Sequence, residues 1–175
     1  MIGKKVSLRA VEPDDLELLY ELENKVDWWH LSNTVSPFSR FVLEQYIMNS
    51  HLDIYSSKQL RLMIEFTGNE PPQTIGTIDL FDFDPVNMRA GVGILVKQEW
   101  QKKGLATEAL SLLVDYAFNT LHLHQLYCGI CTDNVESLSV FKKQGFNITG
   151  TRLQWVRKEK QWLDEYFLQL FSVNK

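Results

Sequence analysis

Glu99-Trp100-Gln101-Lys102-Lys103-Gly104-Leu105-Ala106-Thr107 is the stretch from which the fold is read. On its N-terminal side, residues 88–96 alternate, with Ala90, Val92, Ile94 and Val96 on one face, as a half-buried strand requires. On its C-terminal side, Ala106, Ala109, Leu110, Leu113, Tyr116, Ala117 and Leu121 recur at three and four residues, the pattern of a core-facing helix. The stretch is therefore a strand-to-helix corner. Such a corner exposes unpaired backbone N–H groups at the positive end of a helix dipole, which together attract an anion. Gly104 removes side-chain bulk and permits a tight turn, and Lys102 and Lys103 add positive charge. Neither G-x-x-x-x-G-K-[ST] nor G-x-G-x-x-G occurs. On loop chemistry alone, phosphate binding and a basic loop that simply caps a core helix both stay open.

Working outward, residues 6–9 read as a first strand. The acidic run Glu12-Pro13-Asp14-Asp15 then suits the first turn of a helix, whose stripe Leu16, Leu18, Leu19, Leu22 continues to about Val26. Residues 28–38 have no clear period, and Ser39 caps a second helix to about Asn49. Strands over 60–66 and 73–81 are broken by Gly68-Asn69-Glu70-Pro71-Pro72 and Asp82-Phe83-Asp84-Pro85, and with 88–96 they form an antiparallel meander. Beyond the central helix come a strand over 125–131, a helix over 134–144 ended by Gly145, and a hairpin over 148–156 and 162–173. The order β-α-α-β-β-β-α-β-α-β-β predicts an α/β (α+β) fold, a mixed sheet with helices on its faces. With no repeats or long linkers, residues 1–175 read as one domain.

The chain has 175 residues, enough to bury about 70% of its unfolded surface without disulfides or metal. Hydrophobic residues make up 45% and charged residues 23%, too apolar for disorder. Eighteen Lys plus Arg against 22 Asp plus Glu give a net charge of −4, which argues against a broad nucleic-acid surface. No apolar run is long enough to span a bilayer, and the first residues lack a signal-peptide core, so the expectation is a cytoplasmic protein without membrane contact. Cys128 and Cys131 have C-x-x-C spacing. Three residues apart on a strand they point to opposite faces, and no second pair completes a zinc site, so both read as structural. His122 and His124 likewise lack matching carboxylates, and no metal is expected.

Two motifs carry a family resemblance. Gln101-Lys102-Lys103-Gly104-Leu105-Ala106 fits the pattern Gln/Arg-x-x-Gly-x-Gly/Ala of the pyrophosphate loop of GNAT N-acetyltransferases. Asn134-Val135-Glu136-Ser137-Leu138-Ser139-Val140-Phe141-Lys142-Lys143-Gln144-Gly145-Phe146 resembles that family's later Asn-x-x-Ala/Ser-x-x-x-Tyr/Phe-x-Lys-x-Gly-Phe element. The opening V-S-L-R-A-V-E-P-D-D is similar to the branch of ribosomal-protein N-terminal and spermidine acetyltransferases. The resemblance implies a mostly antiparallel sheet with helices on both faces, splayed between its fourth and fifth strands, with acetyl-CoA as co-substrate in the opening. Pantetheine would run along Ile94, Leu95 and Val96, and the pyrophosphate would lie on the amides of Gln101, Lys102, Lys103, Gly104, Leu105, Ala106 and Thr107. Asn134, Leu138 and Phe141 would line the reactive end, with Lys143 near the nucleotide. Gly91 and Gly93 share a face, either as an opening for close approach or as part of a twisted strand.

The implied reaction is direct attack of an amine on the acetyl thioester, with a backbone N–H near Leu95 as the oxyanion donor. Many relatives place a Tyr seven residues after the motif Asn to protonate the leaving sulfur. Here that position is Phe141. Ser137 is the candidate in its stead, or else a first-turn serine bonded to backbone. Tyr127 is a further candidate, and water could also protonate the thiolate. Trp28, Trp29 and His30 form an aromatic cluster that could wall an amine, and Asp79, Asp82 and Asp84 could bind a cationic one. Alternatively these are a hydrophobic lid and a solvated turn. Spermidine acetyltransferases usually carry acidic residues after the first helix, where this chain has Leu31-Ser32-Asn33. That leaves a small amine, a polyamine or a protein N-terminus as acceptor. The alternative class is an acyl-CoA-binding module without catalysis. The ends of the final hairpin could support a homodimer.

Overall fold

The computed structural model describes residues 1–32 and 34–172. Its centre is a seven-stranded sheet in the order β1-β2-β3-β4-β5-β7-β6. The strands are β1 (Val6–Ala10), β2 (Leu60–Phe66), β3 (Gln73–Asp84), β4 (Arg89–Val96), β5 (Gln125–Cys131), β6 (Asn147–Lys158) and β7 (Gln161–Phe171). Every neighbouring pair is antiparallel except β4 with β5, which runs parallel. That one parallel pair is joined only at Arg89–Gln125, Ala90–Leu126 and Gly91–Tyr127. Past Gly91 the two strands part and leave a wedge.

Helices cover both faces. On one, α5 (Leu105–Asn119) buries Leu105, Ala109, Leu110, Leu113 and Ala117 against Val6, Ile64, Ile78, Ala90 and Leu126. α6 (Val135–Lys143) adds Leu138 and Phe141 to the same core. On the other face, α1 (Leu16–Glu23) and α3 (Arg40–Met48) enclose Leu19, Leu43, Ile47 and Met63. Two short helices, α2 (Trp29–Ser32) and α4 (Ile54–Ser57), complete the set.

Several boundaries differ from the sequence reading. The first helix stops at Glu23, not Val26, because Asn24 turns its amide onto the carbonyls of Tyr20 and Phe38 and accepts from the Phe38 N–H. The Asp82–Asp84 break is a bulge inside one long strand, with Asp82 at a φ of 48°. The core stripe of α5 begins at Leu105 and not at Ala106, which is only half-buried. The expected caps hold: the Ser39 hydroxyl accepts from the Val42 N–H, and Gly145 takes a φ of 92° after α6. The last strand ends at Phe171, and its expected end at Val173 lies outside the described residues.

β4 feeds the Lys97–Gly104 loop and α5, while β5 feeds Thr132–Asn134 and α6. Both helix N-termini therefore open at the mouth of the wedge, on the carboxyl side of the two strands that diverge.

Candidate functional site

A cavity of about 480 Å³ lies at that mouth, lined by Ile94, Leu95 and Val96 of β4, the corner loop and the start of α6. Gly104 is the N-cap of α5 with a φ of 79°, a conformation costly for residues with a Cβ. No atom of the described residues beyond its chain neighbours stands within 4 Å of where its Cβ would be, so backbone conformation, not crowding, demands glycine there. Lys102 is also left-handed, at a φ of 60°. The first intrahelical bond of α5 is Glu108 N–H to Gly104 C=O, and the amides of Lys102, Lys103 and Gly104 donate to no described backbone group. Those of Leu105, Ala106 and Thr107 belong to the first helical turn, which has no carbonyl behind it. The loop thus presents a cup of donors.

Its side chains divide by task. Gln101 turns back, and its Nε2 donates to the Val96 carbonyl at 2.8 Å, tying the corner to the strand. Lys102 reaches across the cavity mouth to Glu136 in the first turn of α6, Nζ to Oε1 at 2.8 Å. Lys103 does not line the cavity. Its ammonium lies 4.7 Å from the centre of the Trp100 ring, and that ring packs on Phe66. Trp100, a wall of the cavity, was missed as a site residue because its place beside the loop, unlike its identity, is set by β2.

The edge of β4 beside the wedge corrects the expected oxyanion donor. The Leu95 carbonyl lies against Gly76 of β3, and the Lys97 N–H donates to Ile75 of β3 at 2.9 Å. Backbone groups alternate along a strand, so Leu95 faces its ladder partner Thr77, and Val92, Ile94 and Val96 face the wedge. Leu95 lines the cavity through its side chain only. Ile94 carries the free amide at mid-wedge.

Asn134 is the N-cap of α6, its Oδ1 accepting from the Ser137 N–H at 3.1 Å. The Ser137 hydroxyl makes no hydrogen bond to any described residue and opens into this cavity and its neighbour. Leu138 was expected at the reactive end but is 8% exposed and turned into the core, one helix face away from Ser137. Phe141 lines the neighbouring cavity and meets Phe146 edge-on at 5.0 Å. Lys143 lines the first cavity beside the loop.

That neighbouring cavity, about 160 Å³, fills the wedge between β4 and β5 and shares Leu31, Ile94, Asn134 and Ser137 with the first. Most expected acceptor residues are elsewhere. Asp79 lines neither cavity: Arg61, directly opposite it on β2, holds its Oδ1 at 2.7 Å, and Glu23 flanks the same guanidinium. Burial pushes the Asp79 carboxyl up from its ordinary value against the pull of Arg61. Asp84 accepts from Val86, Asn87 and Arg89, as a turn residue does. Trp28 lines the first cavity, not the wedge, and Lys25 sits 4.0 Å over its ring. Trp29 is anchored by Nε1 to the Glu23 carbonyl and lines neither cavity. His30 and Leu31 do line the wedge, while Asn33 lies outside the described residues. Gly91 faces the Phe81 ring closely, whereas Gly93 opens onto the wedge. Tyr127 packs between Phe81 and Phe167, away from both cavities.

Both cysteines are free and buried, and burial pushes both thiols up, Cys128 strongly, so neither supplies a thiolate near neutral pH. Among the described residues no group of three or more His, Cys, Asp or Glu is arranged to hold a metal ion. No described helix is long and apolar enough to cross a membrane.

Comparison with known proteins agrees with this geometry. The model of the acetyltransferase (GNAT) domain matches residues 5–147. A spermidine N(1)-acetyltransferase of Escherichia coli K12 is 30% identical over 149 residues, 83% of this chain and 74% of the relative. A putative ribosomal N-acetyltransferase of Bacillus subtilis is 26% identical over 150 residues, 83% of this chain and 79% of the relative. The fold matches that of the spermidine N-acetyltransferase of Vibrio cholerae, solved in complex with CoA and spermine, at a TM-score of 0.85 and 22% identity over 95% of each chain. The corner loop, the wedge and these matches together place the chain in the GNAT acetyltransferase family, as an acetyl-CoA-dependent N-acetyltransferase.

Proposed function

We propose that the larger cavity holds acetyl-CoA and that the wedge admits a primary amine to its acetyl end. The observation that carries this reading is the continuity of two kinds of free main chain. The unpaired amides at the start of α5 adjoin the unpaired edge of β4 at Ile94. A pyrophosphate suits the first, since a helix N-terminus with left-handed Gly104 offers several converging N–H donors. A pantetheine amide chain suits the second, because an exposed strand edge accepts another extended chain. Lys102 and Lys143 supply charge toward the phosphates.

Acetyl-CoA, when bound, supplies the acetyl thioester. The Ile94 N–H, fixed by the β3 ladder, is the donor for the oxygen charge that builds up during attack. The Ser137 Oγ–H, unclaimed by any described residue, is the donor toward the departing sulfur. Phe141 lines the wedge beside it and has no proton to give. The acceptor releases its proton to water, since an amine must be neutral to attack.

The acceptor is a primary amine small enough to enter the wedge. The relatives named as spermidine acetyltransferases support including polyamines in the set tested. The exposed Leu153, Trp155 and Trp162 of the β6–β7 hairpin support self-association, which light scattering would detect. The deciding experiment follows thiol release from acetyl-CoA over a panel of small amines, polyamines and peptide N-termini. Release with an acetylated product is expected. CoA binding without release on any amine would instead identify an acyl-CoA-binding module.

A further inference from the structure

The wedge has apolar walls, Phe81, Val92, Ile94 and Phe141 among them, and two protonated thiols. Among its described lining residues, Glu165 of β7 is the sole carboxylate. It reaches the wedge because Gly129 on β5 makes room: a Cβ at that position would stand 2.6 Å from the Glu165 Cδ and Oε1. The carboxylate therefore lies flat over the β5 backbone, with its side chain only 13% exposed. One oxygen is held. Arg152 of β6 donates to Oε2 at 2.6 Å. Arg152 is itself drawn outward over the rings of Trp155 and Phe167, at 5.1 and 5.0 Å, and does not line the wedge. No described group donates to Oε1.

We propose that Glu165 is the residue that selects a cationic acceptor, its Oε1, which Arg152 leaves free, accepting a hydrogen bond from the substrate ammonium. The proposal rests on the reading of the wedge as the acceptor side. A half-buried carboxylate with apolar neighbours favours a cation far more than one in water does, because the low local dielectric strengthens the attraction. It also accounts for a strand-interior glycine facing a carboxylate: a side chain at 129 would displace the Glu165 carboxylate from where it lies.

The test compares an alkylamine, protonated near neutral pH, with an alkoxyamine of the same length, which is neutral there. Glu165→Gln should lower kcat/KM for the alkylamine by about 10- to 100-fold, change it less than about threefold for the alkoxyamine, and leave CoA affinity unchanged. Equal losses for the two acceptors, or none, overturn the proposal. Arg152→Gln breaks the same ion pair but keeps the carboxylate, so the alkylamine should retain its kcat/KM or gain. If the two variants lose activity alike, the pair is only structural and the proposal falls. Titration of the alkylamine into the CoA-loaded protein gives a readout that does not need turnover. There Glu165→Gln should weaken binding about 10-fold or more, and unchanged binding overturns the assignment. If the wild type binds the amine in this way yet releases no thiol, it is the acetylation reading that fails.

Discussion

At the end of the cleft read as the cofactor side, six consecutive residues, Lys102 to Thr107, offer main-chain amides. At the end read as the acceptor side the groups in reach, His30, Phe81, Cys128 and Glu165, come from α2, β3, β5 and β7. The first half is a local conformation that works whatever the side chains are, provided Gly104 can be left-handed. The second is a coincidence of distant side chains, each placed by sheet register. Mutation should therefore strike the two halves differently: through backbone strain at one, through single functional groups at the other.

The largest effect is expected at Gly104. Because no described residue crowds its missing Cβ, Gly104→Ala tests conformation alone. Holding a non-glycine residue at that φ costs about 1–3 kcal/mol, so CoA affinity should fall about 10- to 100-fold, with the melting temperature little changed at this exposed loop. Calorimetric titration with CoA would check it. Unaltered affinity would remove the cup of amides from the site.

The same contrast explains what could be read from the sequence. The loop, its helix and the caps at Ser39, Asn134 and Gly145 are local patterns with a local cause. The phase of β4 is not local. Whether Ile94 or Leu95 turns its amide to the wedge depends on the pairing of Thr77 with Leu95, which no spacing within β4 reveals. Asp79 had the right charge, but only the β2–β3 register shows that Arg61 already holds it. Glu165 left one faint sign, a glycine inside a strand at 129, which marks a close approach without saying of what.

Ser137→Ala should come next in size. Loss of a donor to the leaving sulfur is expected to lower kcat about 10-fold, less than a full general acid is worth because water can serve in its place, with CoA affinity unchanged. Full kcat retained in single-turnover measurement would exclude the hydroxyl. Phe141→Tyr sharpens the point from the other side. It adds a phenol in the wedge beside Ser137, and kcat should hold or rise, against a stability cost of about 1–3 kcal/mol if the hydroxyl finds no partner. Thermal unfolding alongside kcat separates the two effects.

The smallest effect belongs to the strap between the halves. Lys102 and Glu136 are both well exposed, so their pairing is weak and screened by salt. Yet Glu136 also places a negative charge on the rim of the cavity read as the phosphate site, where it competes with phosphate for the same ammonium. Glu136→Gln should therefore tighten CoA binding by a small factor, and Lys102→Gln should weaken it by a similar one. Both effects should shrink as ionic strength rises. If the strap only braces α6 against the loop, the two variants would instead shift affinity in the same direction, because either one cuts the bridge. Opposite signs at low salt are what a ligand exchange at Lys102 requires.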